Sequence, residues 1–245
     1  MIIQKAEKLK KLRSNLISKK TNLMSIQTHL KSIKSRLPQQ VTLVAVSKTK
    51  PVVDLMEAYN AGQRIFGENK IQEMTDKWEQ MPKDIQWHMI GHVQRNKVKY
   101  MAEYVSLIHG VDSFKLLKEI NKQALKYNRV IDCLFQVKIA EEDSKFGLSQ
   151  SDITTILNTE DFSELKHIKV VGLMGMATFT NDMQQVEREF KSLKSTFDYL
   201  KDFQASNFKL ETLSMGMSGD YKLAIECGST MVRIGSSIFG SRNYT

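Results

Sequence analysis

The chain has 245 residues, 41% of them hydrophobic, enough for one full core of the size usual for an eight-stranded α/β barrel. Its two cysteines, Cys133 and Cys227, lie far apart with no C-x-x-C partner, which argues against a disulfide framework or a thiolate zinc site. The net charge of +9 resides in residues 1–40, which hold ten basic side chains and one acid, so the rest of the chain is balanced. In that basic segment Leu9, Leu12, Leu16, Leu23, Ile26, Leu30, Ile33 and Leu37 recur at helical spacing. They predict one long amphipathic helix within residues 1–37, part of the same domain as the body at 38–245, with Pro38 after its end. The lysine-rich face reads as the solvated side of a helix packed on the domain. The alternative is contact with a polyanion. No aromatic residue occurs in 1–40, so neither base stacking nor a nucleic-acid partner is expected. No secretory leader or membrane-spanning run is visible, and the reading is a cytoplasmic protein.

The next segment, Val41 to Pro51, is the most informative. An unbroken apolar, β-branched run predicts a strand buried on both faces. At its carboxyl end, where α/β folds place their sites, stands Lys48. A lysine amine held in a partly desolvated pocket can condense with an aldehyde. The plain alternative is a surface lysine at a strand–loop junction, a description that fits Lys50.

Further strands are predicted at 64–66, 86–90, 105–109, 132–139, 168–174, 211–215 and 231–234. Between them lie helical patterns: one capped by Asp112 or Ser113, one by Ser149 or Ser151, and a longer one over 182–202. Eight strands alternating with helices predict a single (β/α)8 TIM barrel, because each parallel connection needs a crossover. His88 and His92 are four apart, but Gly91 denies them one helical face, and no metal is expected.

Small residues follow the last two strands, at Ser218 and at Gly235-Ser236. In barrels of this kind, phosphate binds the loops after strands seven and eight. There, unpaired backbone N–H groups and glycine permit close approach to an anion. Strand eight closes against strand one, which sets this cradle beside Lys48. A lysine beside a phosphate cradle suggests a phosphorylated aldehyde, pyridoxal 5′-phosphate (PLP). Arg233, two residues before Gly235, points inward and needs an acceptor. A pyridine nitrogen is one candidate, and a salt bridge to Glu226, Asp220 or another acid is the other.

The segments AVSKTKP, FGEN, WHMIG with QRNK, SMGMSGD and GSTMVRIGSSIFG run in order from residue 45 to 240. With them the chain resembles the YggS/PROSC family of pyridoxal phosphate homeostasis proteins. The resemblance implies a barrel like the N-terminal domain of alanine racemase, with PLP held as an internal aldimine on Lys48. It also implies that Asn69 lies near the ring, that His88 and Met89 end strand three beside the pocket, and that Ser218, Gly235 and Ser236 bind phosphate. Arg233 would face the ring nitrogen. No residue is assigned a catalytic role. The expected function is buffering or delivery of PLP with little or no catalysis, by a monomer whose recipients are apo forms of PLP enzymes. A PLP-dependent amino-acid racemase of modest activity is the alternative, and a class I aldolase-type barrel acting through Lys48 is a third.

Overall fold

In a computed structural model, which describes residues 25–141 and 146–240, eight parallel strands form a closed barrel in sequential order. They are β1 (Thr42–Val46), β2 (Ile65–Glu68), β3 (Gln86–Met89), β4 (Val105–Val111), β5 (Ile131–Gln136), β6 (Ile168–Met174), β7 (Phe208–Ser214) and β8 (Met231–Ile234). Closure is made by β1 on β8, in the register Thr42↔Met231 to Ala45↔Ile234. Among the described residues no helix is long and apolar enough to cross a membrane.

Side chains alternate along each strand, which gives two apolar layers. Val44, Leu107, Leu134, Val171, Met174 and Met231 fill the interior. Leu43, Ala45, Phe66, Trp87 and Met89 point outward into the larger layer under the helices. These helices are α1 (Ile26–Lys34), α2 (Val52–Asn60), α3 (Ile71–Gln80), α4 (Phe114–Lys126), α5 (Gln150–Leu157), α6 (Glu160–Ser163), α7 (Met183–Leu200), α8 (Tyr221–Glu226) and α9 (Ser236–Phe239). Ser113 caps α4, and Ser149 caps α5 through a reciprocal capping box with Asp152.

Two expectations are corrected. The helix read from residues 1–37 is broken at Ser25, whose backbone is extended and whose hydroxyl accepts from Thr28 N at 3.2 Å to cap α1, and α1 ends at Lys34. The stripe from Leu9 to Leu23 lies outside the described residues. Strand β7 begins at Phe208, three residues before the predicted start. The exposed Lys209 and Glu211 break its apolar run and pair with each other at 2.5 Å.

Gly172 marks the tightest place in the barrel wall. A Cβ there would lie 1.8 Å from the backbone oxygen of Thr212, where the β6–β7 register shifts. Backbone cannot yield as a side-chain tip does. Gly172→Ala should therefore cost about 3 kcal/mol, seen as a fall of about 6–12 °C in melting temperature. An unchanged melting curve would show that the two strands are not so closely apposed.

Candidate functional site

At the carboxyl ends of the strands lies a cavity of about 390 Å³, within the range of small-molecule sites. Six of the eight residues predicted for the site line it: Lys48, Asn69, Ser218, Arg233, Gly235 and Ser236. The other two do not. Met89 belongs to the outer apolar layer, and His88 lies in the barrel interior, bonded through Nδ1 to His109 Nε2 at 3.1 Å. Strand alternation sends these neighbours to opposite faces, and neither reaches the cavity wall. A larger cleft of about 560 Å³ shares Ser218, Gly219 and Asp220, but it opens against α1 and contains neither Lys48 nor Arg233.

Lys48 is half-buried in a turn whose ends are joined by Lys50 N donating to Ser47 O at 3.1 Å. The following residue, Thr49, has φ of 64°, a conformation costly for a β-branched side chain. A buried ionic clamp holds it there. Lys77 on α3 donates to Ser47 O at 2.8 Å, to Glu68 Oε1 at 2.7 Å and to Glu73 Oε1 at 2.7 Å. Glu73 Oε1 in turn accepts Thr49 N at 2.6 Å, and Ser47 Oγ donates to Glu68 Oε1 at 2.6 Å. The residues on both sides of Lys48 are thereby fixed. Burial raises the Glu68 carboxyl above its ordinary range, the ammonium and hydrogen bonds of Lys77 opposing. Lys50, by contrast, donates to Phe239 O at 2.8 Å, tying the turn to α9.

The opposite wall is the cradle. Gly235 N donates to Ser218 Oγ at 3.2 Å, which brings together the loops after β7 and β8. A Cβ on Gly235 would press on Val46 O at 3.0 Å, so glycine keeps this wall tight against the end of β1. Asn69 offers a buried Oδ1 with no partner, a polar atom whose desolvation calls for a donor. Arg233 is 4% exposed, and burial lowers its pKa to about 10, with Asp220 acting against the shift. It stays charged at neutral pH. Its acceptors are neutral: Ser214 Oγ at 2.7 Å and Gly175 O at 3.0 Å. The salt bridge expected as one alternative does not form with any described residue.

Sequence reasoning missed Lys77, Glu68, Ser214 and His109. The spacing of Glu73 and Lys77 was the available signal, but an i,i+4 pair reads the same on a solvated helix face.

Closed parallel barrel, strand-end lysine and small-residue loops around one cavity define a (β/α)8 protein with a lysine-bearing pocket at the strand carboxyl ends. Residues 21–243 match the family model described as alanine racemase, N-terminal domain. The chain is 40% identical over 208 residues to the pyridoxal phosphate homeostasis protein of Pasteurella multocida, spanning 84% of this chain and 88% of that protein. Against the protein of the same name from Escherichia coli K12 it is 34% identical over 221 residues, 86% and 89% of the two chains. The chain thus belongs to the alanine racemase N-terminal-domain family, on its pyridoxal phosphate homeostasis branch. The solved structure of PipY from Synechococcus elongatus PCC7942, with PLP bound, superposes with a TM-score of 0.80 at 34% identity, covering 88% of this chain and all of that one. An alanine racemase of Clostridium difficile 630 shares the fold, with a TM-score of 0.71 at 14% identity over 89% of this chain and 60% of that one.

Proposed function

We propose that the chain binds PLP through Lys48 and buffers or delivers it, influencing amino-acid and keto-acid pools, with little or no catalysis of its own. One convergence carries this: a lysine amine, an orphaned Asn69 oxygen and two small-residue loops joined by the Gly235 N–Ser218 Oγ bond all border a single cavity. Ser218, Ser236 and the backbone N–H of Ser236 hold the phosphate, Gly235 N–H orients the Ser218 hydroxyl toward it, and Asn69 meets a donor beside the ring. Arg233 faces the ring nitrogen. His88 and Met89 have no direct contact in this reading.

When bound, the cofactor supplies a carbonyl for amines and a ring that draws electrons from an amino-acid α-carbon. Arginine does not release its proton at neutral pH, so Arg233 leaves the ring nitrogen unprotonated and the sink weak. Moving a proton between the two faces of a substrate needs a second acid–base group. Among the described residues lining the cavity there is no His, Cys or Tyr, the Lys50 amine donates to Phe239 O at 2.8 Å, and the Asp220 carboxylate accepts Met217 N at 2.5 Å. Both features favour a carrier over a racemase. Recipients in this reading are apo forms of PLP enzymes, served by a monomer in the cytoplasm. The free, buried Cys133 and Cys227 suit a reducing compartment.

The test is to load the protein with PLP and assay racemisation, transamination and decarboxylation of common amino acids. Visible absorbance from bound PLP with turnover far below about 1 s⁻¹ is expected. Turnover at or above that value, the low end of ordinary enzymes, would favour the racemase.

A further inference from the structure

A line of four buried polar side chains crosses the barrel interior from the cavity wall. Arg233 on β8 donates from Nη1 to Ser214 Oγ on β7 at 2.7 Å. Ser214 Oγ lies 3.1 Å from Nδ1 of His109 on β4, and His109 Nε2 lies 3.1 Å from Nδ1 of His88 on β3. Ser214 and His109 are fully buried, and His88 and Arg233 are 4% exposed.

Donor counting fixes the order of the protons. A guanidinium only donates, so Ser214 Oγ accepts from it. The Ser214 hydroxyl hydrogen then needs an acceptor of its own, because a buried O–H left unmatched is costly. His109 Nδ1 is the acceptor in reach. A neutral His109 with a bare Nδ1 carries its hydrogen on Nε2 and donates to His88 Nδ1. His88 in turn carries its hydrogen on Nε2. Burial supports neutral rings, lowering His88 to about 3 and His109 well below its ordinary value, with His88 and Arg233 adding to the latter shift.

Such a chain has its dipoles head to tail, with the lone-pair end towards Arg233, and its members strengthen one another. A carboxylate in the same place would orient the guanidinium too, but it would neutralise it. We propose that Ser214, His109 and His88 are positioning residues for Arg233: a one-way chain of neutral groups that fixes the guanidinium at the cavity wall without a carboxylate in direct contact with it. This rests on the proposed cofactor only for the second of two measurements.

The first measurement is ¹⁵N NMR of the imidazoles in the ligand-free protein at neutral pH. Both His109 and His88 should be neutral with hydrogen on Nε2, and Ser214→Ala should change the tautomer balance of His109. A protonated ring, or hydrogen on Nδ1 of His109, overturns the chain. The second is PLP affinity. Ser214→Ala should weaken it by roughly tenfold, as loss of a hydrogen bond to a charged group implies, while Ser214→Thr restores it. A folded Ser214→Ala protein with wild-type affinity overturns the positioning role. If the wild-type protein takes up no PLP, the cofactor reading fails and the tautomers alone decide the chain.

Discussion

Replacing Lys77 with methionine should lower the melting temperature by about 6–20 °C, the equivalent of about 3–5 kcal/mol for breaking one side of a buried ion pair. Lys77 is 7% exposed at its side chain and Glu68 is 0% exposed, so methionine leaves the carboxylate buried and uncompensated. The pH dependence has a definite sign. Burial already raises the Glu68 pKa, and the variant removes the two Lys77 contributions that hold it down. Glu68 therefore titrates higher still in the folded variant than in the unfolded chain. As pH falls, the folded variant takes up a proton before the unfolded chain does, which relieves the penalty. The loss should be largest near pH 8 and shrink towards pH 5. A loss that is flat with pH, or that grows in acid, would show that Glu68 is not the group left exposed to the low dielectric. The same substitution releases Ser47 O, so PLP uptake should fall even in the folded fraction.

Lys48→Met should abolish covalent retention of PLP. After borohydride reduction and peptide mapping, the wild-type chain should carry the pyridoxyl mass on Lys48. The variant should carry none and lose its colour on gel filtration. Lys50 is the control, since its amine is engaged with Phe239 O. Lys50→Met should keep the label and lose only about 1 kcal/mol of stability. Label on Lys50 or Lys97 in the wild-type chain would displace Lys48 from the centre of the site.

The barrel was legible because its strands are buried on both faces and read as apolar runs, while helices between them keep a 3.6-residue period. Lys48 stood out as a charge at the end of such a run. Ser218, Gly235 and Ser236 stood out as small residues where strands seven and eight end. His109 and Ser214 carried no comparable signal. They lie on β4 and β7, 105 residues apart, and only barrel closure brings them to 3.1 Å. The resemblance placed both His88 and Met89 at the end of strand three beside the pocket, yet neighbours on a strand point one into the barrel and the other out of it. The clamp was hidden for a third reason. Lys77 looks like any helix-surface lysine until Glu68 arrives from β2 to bury it.

Closure of β8 on β1 also sets a timetable. Lys50 and Phe239 are 189 residues apart, and the cradle that completes the site belongs to the last strand to be synthesised. At ribosomal rates of about 5–20 residues per second, the lysine emerges about 10–40 s before the loop opposite it exists. Until then β1 and β7 are open strand edges, the state most prone to pairing with other chains. Before β8 is made, the wall formed by Arg233, Gly235 and Ser236 is missing, so the cavity as described exists only once the barrel has closed.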